Sequence, residues 1–249
     1  GVVFRGGDVV AEQAVVGHAV RQFGVSLDEL HNDSTTITFH GDYRNALEQR
    51  SLRGRPRLAI TWGHNKDHRP DLAQFKVMLA ALDPLGLPLA TLVVSGNVAD
   101  DPLYEPALRQ ARSVVGQGGR LYIGDSKMAA LQTRAFMQAG GDYYLTALPQ
   151  TGDVPELLES LLQSVWEKKQ ALEQVYTTPA GEAPQLQFLG YETPRALQTE
   201  YKGVLLSWLE RLLVVFSVAL AKKQRRGLER RLQRAEDQLL SLTPPRGRG

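Results

Sequence analysis

Residues 31–41, HNDSTTITFHG, decide the fold, because they predict a β-strand that begins near a carboxylate. The β-branched residues at positions 35–38 favour an extended conformation. Alternate residues of a strand share one face, so Asp33 is expected on the same face as Ile37 and Phe39. A carboxylate at the polar end of an apolar face is costly to bury unless it is paired or binds a cation. An aspartate that forms a turn at the entrance of the strand is the alternative.

A second carboxylate, Asp125, directly follows the apolar strand predicted for RLYIGD (120–125). Residues 126–139 predict a helix, so Asp125 would lie at the C-terminal edge of a strand, where open α/β sheets bind their ligands. The alternative is a helix N-cap, because aspartate is among the residues preferred at that position.

The segments around these two carboxylates predict an α/β fold with a mixed sheet covered by helices. Turn residues at 83–86 separate two apolar runs and indicate a hairpin. A block of strands followed by alternating helices and strands is typical of such a layered domain. In chain order we expect a helix at 8–24, a loop at 41–57, a short strand at 58–62, hairpin strands at 74–82 and 87–95, helices at 101–115 and 126–139, and a strand at 142–148.

The composition changes after Pro149. Residues 153–174 predict a helix, and 175–200, rich in Pro, Gly, Thr and Gln, predict scattered strands. The apolar run 203–221 carries Glu210 and Arg211 near its middle, which argues against a membrane span. Beyond it, a charged helix is expected, with apolar residues at coiled-coil spacing: Leu228, Leu232, Ala235 and Leu239.

Composition narrows the class of protein. The chain has 249 residues and no cysteine, which excludes disulfides and thiolate zinc sites and fits a cytoplasmic location. It begins at Gly1 without a signal-peptide pattern, so this is not expected to be the natural start. The net charge is 29 − 27 = +2, too small to indicate a nucleic-acid partner by itself.

The distribution of charge is more informative than its sum. Residues 222–234, KKQRRGLERRLQR, contain seven basic residues and one acidic residue. A second basic cluster comprises Arg50, Arg53, Arg55 and Arg57. Clusters of this size can neutralise DNA phosphates, although solvated helix faces and loops have the same appearance in a sequence.

The segment GHNKDHRPDL (63–72) places histidines and aspartates close together. His64 and His68 are four residues apart, with Asp67 and Asp71 among them, and this spacing raises the alternative of a zinc site. Gly63 and Pro70 interrupt a continuous helix, and no third ligand stands out. Neither a Walker sequence nor a nucleophile elbow occurs.

Taken together, four stretches resemble bacterial insertion-sequence transposases of the DDE type. The match covers about 25–149, GHNKDHRPDL is its most specific part, and a weaker match continues through 208–229. The resemblance implies an RNase H-like catalytic core at 25–149, preceded by a helical lead-in at 1–24. Residues 150–249 would then be an inserted α+β region with a long basic helix. The four stretches are HNDSTTITFHG, GHNKDHRPDLAQFKVMLAALDPLGLPLATLVVSGNVAD, LYIGDSKMAA and DYYLTALP.

The resemblance also implies a chemistry. Asp33 and Asp125 match the first two catalytic acids, which hold Mg²⁺ or Mn²⁺ while DNA strands are cut and joined. The implied partners are transposon ends and target DNA, a homodimer is an expectation, and the location would be the bacterial nucleoid. The candidate DNA contacts are Arg50, Arg53, Arg55, Arg57, Lys66, Arg69, Arg225, Arg226, Arg230 and Arg231.

One departure from the family is visible. Its third acid, a Glu on a helix beyond the insertion, has no counterpart, since the available glutamates lie in the insertion-like region. The chain is therefore expected to be a fragment with an incomplete site. A nuclease of the same fold and a catalytically dead DNA-binding or dimerising remnant are the alternatives. The glutamates in question are Glu200, Glu210, Glu229 and Glu236.

Overall fold

The structure, a computed structural model, describes residues 6–43, 51–52, 55–56, 58–66, 68–116, 118–177 and 185–242. The chain divides into two compact units. The first comprises Gly1–Gln150 and Gln198–Trp208, and the second comprises Thr151–Leu197 and Leu209–Gly249.

The first unit is built on a five-stranded sheet. A separate two-stranded pair, β2 and β3, lies in the segment that was predicted to be a loop. The hairpin prediction is confirmed, because β4 and β5 pair antiparallel on either side of residues 83–86. The strands are β1 (Glu29–Phe39), β2 (Ser51–Leu52), β3 (Arg55–Pro56), β4 (Ala73–Leu82), β5 (Leu87–Ser95), β6 (Leu121–Gly124) and β7 (Tyr143–Thr146).

The strand predicted at 58–62 is wrong. Within it, only Thr61 forms a bridge, to Gln74, with reciprocal backbone hydrogen bonds of 2.9 Å. Gly96 donates a backbone hydrogen bond to the Ala59 carbonyl at 3.3 Å, so the segment runs past the end of the hairpin without joining a ladder.

The sheet order identifies the RNase H-like fold expected from the sequence. Its order is β5-β4-β1-β6-β7. The first three strands in sequence order within it, β1, β4 and β5, pair antiparallel, whereas β6 pairs parallel with both β1 and β7. β1 therefore lies at the centre, next to the strand that precedes Asp125.

The helices cover the buried face of this sheet. They are α1 (Gly6–Phe23), α2 (Tyr104–Val115), which follows a 3₁₀ turn at Asp101–Leu103, and α3 (Leu131–Ala139). α2 packs on β4 and β5 and buries Tyr104, Ala107, Leu108, Ala111 and Val115.

Side chains of β1 alternate between the two faces as its sequence predicts. Leu30, Asn32 and Ser34 are buried, whereas Asp33 and Thr35 are exposed. Asp33 thus avoids the desolvation cost that a buried carboxylate would carry. Its face of the sheet includes Ile37, which is 42% exposed.

The second unit contains most of a three-stranded sheet of order β10-β9-β8. The elements after Gln150 are α4 (Val154–Trp166), β8 (Glu173–Thr177), β9 (Gln185–Tyr201), β10 (Val204–Ser217) and α5 (Val218–Leu242), and all of them belong to the second unit except the Gln198–Trp208 part of β9 and β10. The helix predicted at 153–174 ends early, because Lys168 adopts a positive φ of 59° that α-helix does not allow. The scattered strands predicted at 175–200 include one long strand, β9.

The β9–β10 hairpin ends in a tight turn that belongs to the first unit. Lys202 and Gly203 have φ of 52° and 78°, as a two-residue hairpin turn of the I′ type requires. The Tyr201 hydroxyl donates to Glu105 Oε1 at 2.9 Å, and Trp208 Nε1 donates to the Tyr144 hydroxyl at 2.7 Å. Both hydrogen bonds lie within the first unit, because Gln198–Trp208 belongs to it.

α5 extends for 25 residues and buries none of its side chains. The charged helix predicted beyond the apolar run is confirmed. Among the described helices, none combines the length and apolar character that crossing a membrane demands.

Candidate active site

The two candidate acids follow a pair of hydrogen-bonded neighbours. Asn32 of β1 and Gly124 of β6 are partners in a parallel ladder, and Asp33 and Asp125 are the next residues on each chain. Neighbouring strands lie about 4.8 Å apart. The fold thus places Asp33, within β1, and Asp125, just after β6, at matching positions on neighbouring segments, and both residues are exposed.

Asp125 is held by three neighbouring groups. Its Oδ1 accepts a hydrogen bond from the Tyr104 hydroxyl at 2.6 Å and from the Lys127 backbone N–H at 2.9 Å. Its carbonyl accepts from Thr146 Oγ1 at 2.6 Å. The helix N-cap alternative is wrong, because α3 begins only at Leu131, after a turn in which Met128 N–H donates to the Asp125 carbonyl at 3.0 Å.

Asp33 is held by a lysine and by its own neighbour. Its Oδ1 accepts from Lys66 Nζ and from the Ser34 backbone N–H, each at 2.8 Å. Lys66 Nζ also donates to the Ser34 carbonyl. Lys66, a candidate DNA contact, therefore lies against the first candidate acid.

The loop GHNKDHRPDL is organised by Asn65. This buried side chain donates to the Arg69 carbonyl at 2.6 Å and accepts from the Arg69 N–H at 2.7 Å. A Cβ on Gly63 would lie 2.2 Å from the Gly96 carbonyl oxygen, so only glycine fits where the loop passes the hairpin. The loop is thus fixed where Lys66 reaches Asp33.

The histidines of this loop do not gather a metal site among the described residues; Asp67 lies outside them. Arg69 makes two hydrogen bonds to Asp71, at 2.8 and 2.6 Å, and this pairing lowers the pKa of Asp71 to about 2. A different group comes together at the start of β1, where His31 Nε2 lies 3.1 Å from Glu29 Oε1 and 3.7 Å from Asp83 Oδ1.

No sequence motif marks Tyr104, the first residue of α2, as part of the candidate site. Its side chain is fully buried, and this burial is the largest cause that raises the pKa of its hydroxyl. The hydrogen bond to Asp125 and the charges of three carboxylates, Asp125, Asp33 and Asp100, raise the same pKa further. Asp100 is itself paired with the buried Lys76, Nζ to Oδ1 at 2.9 Å. The charges of three carboxylates therefore act on the tyrosine hydroxyl, and two of these carboxylates, Asp33 and Asp100, are paired with lysines.

The donor set fits a hard divalent cation. In the described part of the chain, the protein's hydrogen bonds to both Asp33 and Asp125 go to Oδ1. Each Oδ2 is therefore a carboxylate oxygen that can bind a cation, and such oxygens are the ligands that Mg²⁺ and Mn²⁺ prefer.

The remaining candidate residues are spread over the chain. Arg50, Arg53 and Arg57 lie outside the described residues, and Arg55 is described only by its backbone in β3. On α5 the exposed candidates are Arg225, Arg226, Arg230 and Arg231.

The glutamates considered for a third acid lie on the insertion elements. Glu200 is in β9 and Glu210, which is buried, is in β10, while Glu229 and Glu236 are on α5.

Solved structures similar to this chain include two transposase complexes. The piggyBac transposase synaptic complex with hairpin DNA is 9% identical, with a TM-score of 0.39 over 73% of this chain and 32% of that one. The Mos1 transposase paired-end complex with the left transposon end is 10% identical, with a TM-score of 0.30 over 64% of this chain and 46% of that one. The chain thus spans less than half the length of either structure.

A search of curated proteins found no match to this sequence. The family model for the transposase DDE domain matches residues 28–239, which include both candidate acids, the β9–β10 hairpin and nearly all of α5. This protein therefore belongs to the transposase DDE domain family.

Proposed function

We propose that this chain supplies part of the catalytic core that cuts and joins DNA strands in transposition, with Asp33 and Asp125 as ligands of a divalent cation. The observation that carries this proposal is the parallel pairing of Asn32 with Gly124, because the next residues along these two neighbouring segments are Asp33 and Asp125. Family membership supports the reaction class, DNA transposition by a metal-dependent enzyme.

The chemistry follows from the donor set. When bound, Mg²⁺ or Mn²⁺ would polarise the scissile phosphate and lower the pKa of an attacking hydroxyl. Asp33 and Asp125 would bind and orient the cation. The protein holds one carboxylate oxygen of each aspartate by hydrogen bonds. The Lys66 ammonium, 2.8 Å from Asp33, is a cation beside the place where a phosphate would approach.

DNA is the proposed partner, and the exposed arginines of α5 are proposed contacts to its phosphates. Crowded cations of this kind bind the backbone without reading bases. The apolar spacing on the same helix supports a homodimer. A DNA substrate would place the protein at the bacterial nucleoid.

Direct measurement of cation binding tests the metal site. Asp33→Asn and Asp125→Asn each remove a ligand charge, and we expect the Mn²⁺ affinity to weaken roughly tenfold or more. Electron paramagnetic resonance of free Mn²⁺ measures this affinity. Asp237→Asn, an exposed carboxylate on α5, is the matched control and should leave the affinity unchanged. Unaltered Mn²⁺ binding in both site variants would refute the assignment.

Strand transfer separates a transposase from a nuclease of the same fold. A transposase with a complete catalytic site should join a short labelled donor oligonucleotide, through its free 3′ hydroxyl, to target DNA. Cleavage without joined product would favour the nuclease, and neither product would favour a DNA-binding remnant.

A further inference from the structure

The Tyr104 hydroxyl is placed where it can control one candidate metal ligand. Tyr104 is fully buried at the start of α2, and its hydroxyl donates to Asp125 Oδ1 at 2.6 Å. A buried hydroxyl needs a hydrogen-bond partner, because leaving it unpaired costs free energy. The partner here is the exposed Asp125 carboxylate, so the hydrogen bond links a side chain of the core to a surface turn.

Two further hydrogen bonds hold Asp125 in addition to the bond from Tyr104. Lys127 N–H donates to the same oxygen, and Thr146 Oγ1 fixes the main chain through the Asp125 carbonyl. With Oδ1 held by two donors, rotation of the carboxylate is restricted, and Oδ2 is left as the oxygen that can bind a cation. A phenol suits this task because it donates without bringing a positive charge that would compete with a cation.

We propose that Tyr104 is a positioning residue, whose hydroxyl holds Asp125 so that the second carboxylate oxygen faces a divalent cation. The proposal rests on the proposed function, since it concerns the same metal site. Partners that orient metal ligands typically contribute 10- to 100-fold to metal affinity.

The test compares two buried tyrosines. Tyr104→Phe removes one oxygen and keeps the ring, and we expect a roughly 10- to 100-fold weaker Mn²⁺ affinity by the resonance assay. Tyr122→Phe is the matched control, because Tyr122 is equally buried and its hydroxyl lies beside Arg112 and Asp142. Its Mn²⁺ affinity should change less than about twofold, since it does not contact either candidate ligand.

A double-mutant cycle separates positioning from general loosening. In an Asp125→Asn background, Tyr104→Phe should have no further effect on Mn²⁺ affinity, because the ligand it positions is gone. An unchanged affinity for Tyr104→Phe alone, or equal losses for the two Phe variants, would overturn the proposal. If Asp125→Asn binds Mn²⁺ as the unaltered chain does, the metal site itself is wrong, and the positioning role is wrong with it.

Discussion

Gly124 decides where the Asp125 turn lies. A Cβ at this position would be 2.7 Å from Met128 Sδ, closer than such atoms pack, and 3.0 Å from Met128 Cβ, a tight contact. Gly124→Ala should therefore push the turn outward, lowering the free energy of unfolding by about 1–3 kcal/mol, as overpacking does. Chemical denaturation measures the first effect, and weaker Mn²⁺ binding would report the displaced Asp125.

The control for this substitution is Gly17→Ala in α1. The nearest atom to its added Cβ is Arg21 Nη1 at 3.6 Å, an ordinary contact. Alanine is a better helix former than glycine, so this variant should be as stable as the original or more so. Equal stability of Gly124→Ala and Gly17→Ala would contradict the packing argument.

Lys66 competes with any cation that binds Asp33. Its ammonium lies 2.8 Å from Asp33 Oδ1, and both side chains are largely exposed, at 44% and 70%. Exposed pairs of this kind contribute about 0.2–1 kcal/mol, so Lys66→Met should tighten Mn²⁺ binding by up to roughly fivefold. The control is Lys127→Met, whose pairing with Asp101 at 3.6 Å does not involve a candidate ligand.

The sign of the Lys66 effect is the critical outcome. Tighter Mn²⁺ binding that is lost at high salt would agree with competition between two cations for one carboxylate. Weaker binding in Lys66→Met would mean that the lysine supports the metal site instead.

Single residues also show how far the sequence alone could lead. Asp33 and Asp125 could be predicted because one lies within a predicted strand and the other directly follows one, each in a family motif. The Tyr104–Asp125 and Lys66–Asp33 bonds join residues 21 and 33 positions apart. Such contacts depend on how α2 and the 58–66 loop pack, and no local periodicity encodes that packing.

At the level of elements, local chemistry predicted strands best where turns bound them. The β4–β5 hairpin followed from apolar runs on either side of a Pro–Gly turn. Residues 58–62 are as apolar as a strand, yet tight packing at Gly63 and Gly96 allows only one bridge. Tertiary packing therefore overrode strand propensity at this position.

The basic face of α5 predicts contact with DNA phosphates. At 100° per residue, Arg226 and Arg230 lie on the side of the helix opposite Leu228 and Leu232. Arg226→Gln with Arg230→Gln should weaken binding to all DNA sequences alike. The double variant should also make the fall of log affinity with log salt shallower, by roughly 1.8 in slope, since each phosphate contact contributes about 0.9.

A double variant elsewhere removes the same charge. Arg21→Gln with Lys169→Gln neutralises two cations, one on α1 and one beyond α4, and the salt slope should stay unchanged. Fluorescence anisotropy with two unrelated duplexes measures both slopes. Equal slopes for the two double variants would remove α5 from the DNA interface.

The apolar face of α5 supports pairing with a second copy. Leu228, Leu232 and Leu239 are 49%, 55% and 65% exposed, at spacings of four and seven residues. Leu232→Glu with Leu239→Glu should shift the protein towards monomer in sedimentation velocity, because buried like charges oppose pairing. Leu240→Glu, off the stripe, is the control, and a constant mass in all three proteins would exclude this contact.

For the molecule as a whole, the site's ligand count limits its chemistry. A cation held by one or two carboxylates keeps most of its waters and is loosely placed. Misplacement by about 1 Å can cost roughly a hundredfold in rate. We therefore expect the 249-residue chain to bind Mn²⁺ but to cleave supercoiled DNA carrying transposon ends very slowly, in Mg²⁺ or Mn²⁺. The control is Asp125→Asn under the same conditions.

Fast cleavage that disappears in Asp125→Asn would show that a third ligand lies within the chain. Glu200 and Glu210 are on the strands of the insertion. The charge of Asp100, by contrast, helps to raise the pKa of the Tyr104 hydroxyl, which holds Asp125. Asp100 would then be the first residue to replace. Asp100 and Lys76 form a nearly buried pair at 2.9 Å, so Lys76 must release Asp100 before this carboxylate could bind a cation. Breaking a buried pair is costly, and this cost is the physical reason for expecting slow cleavage first.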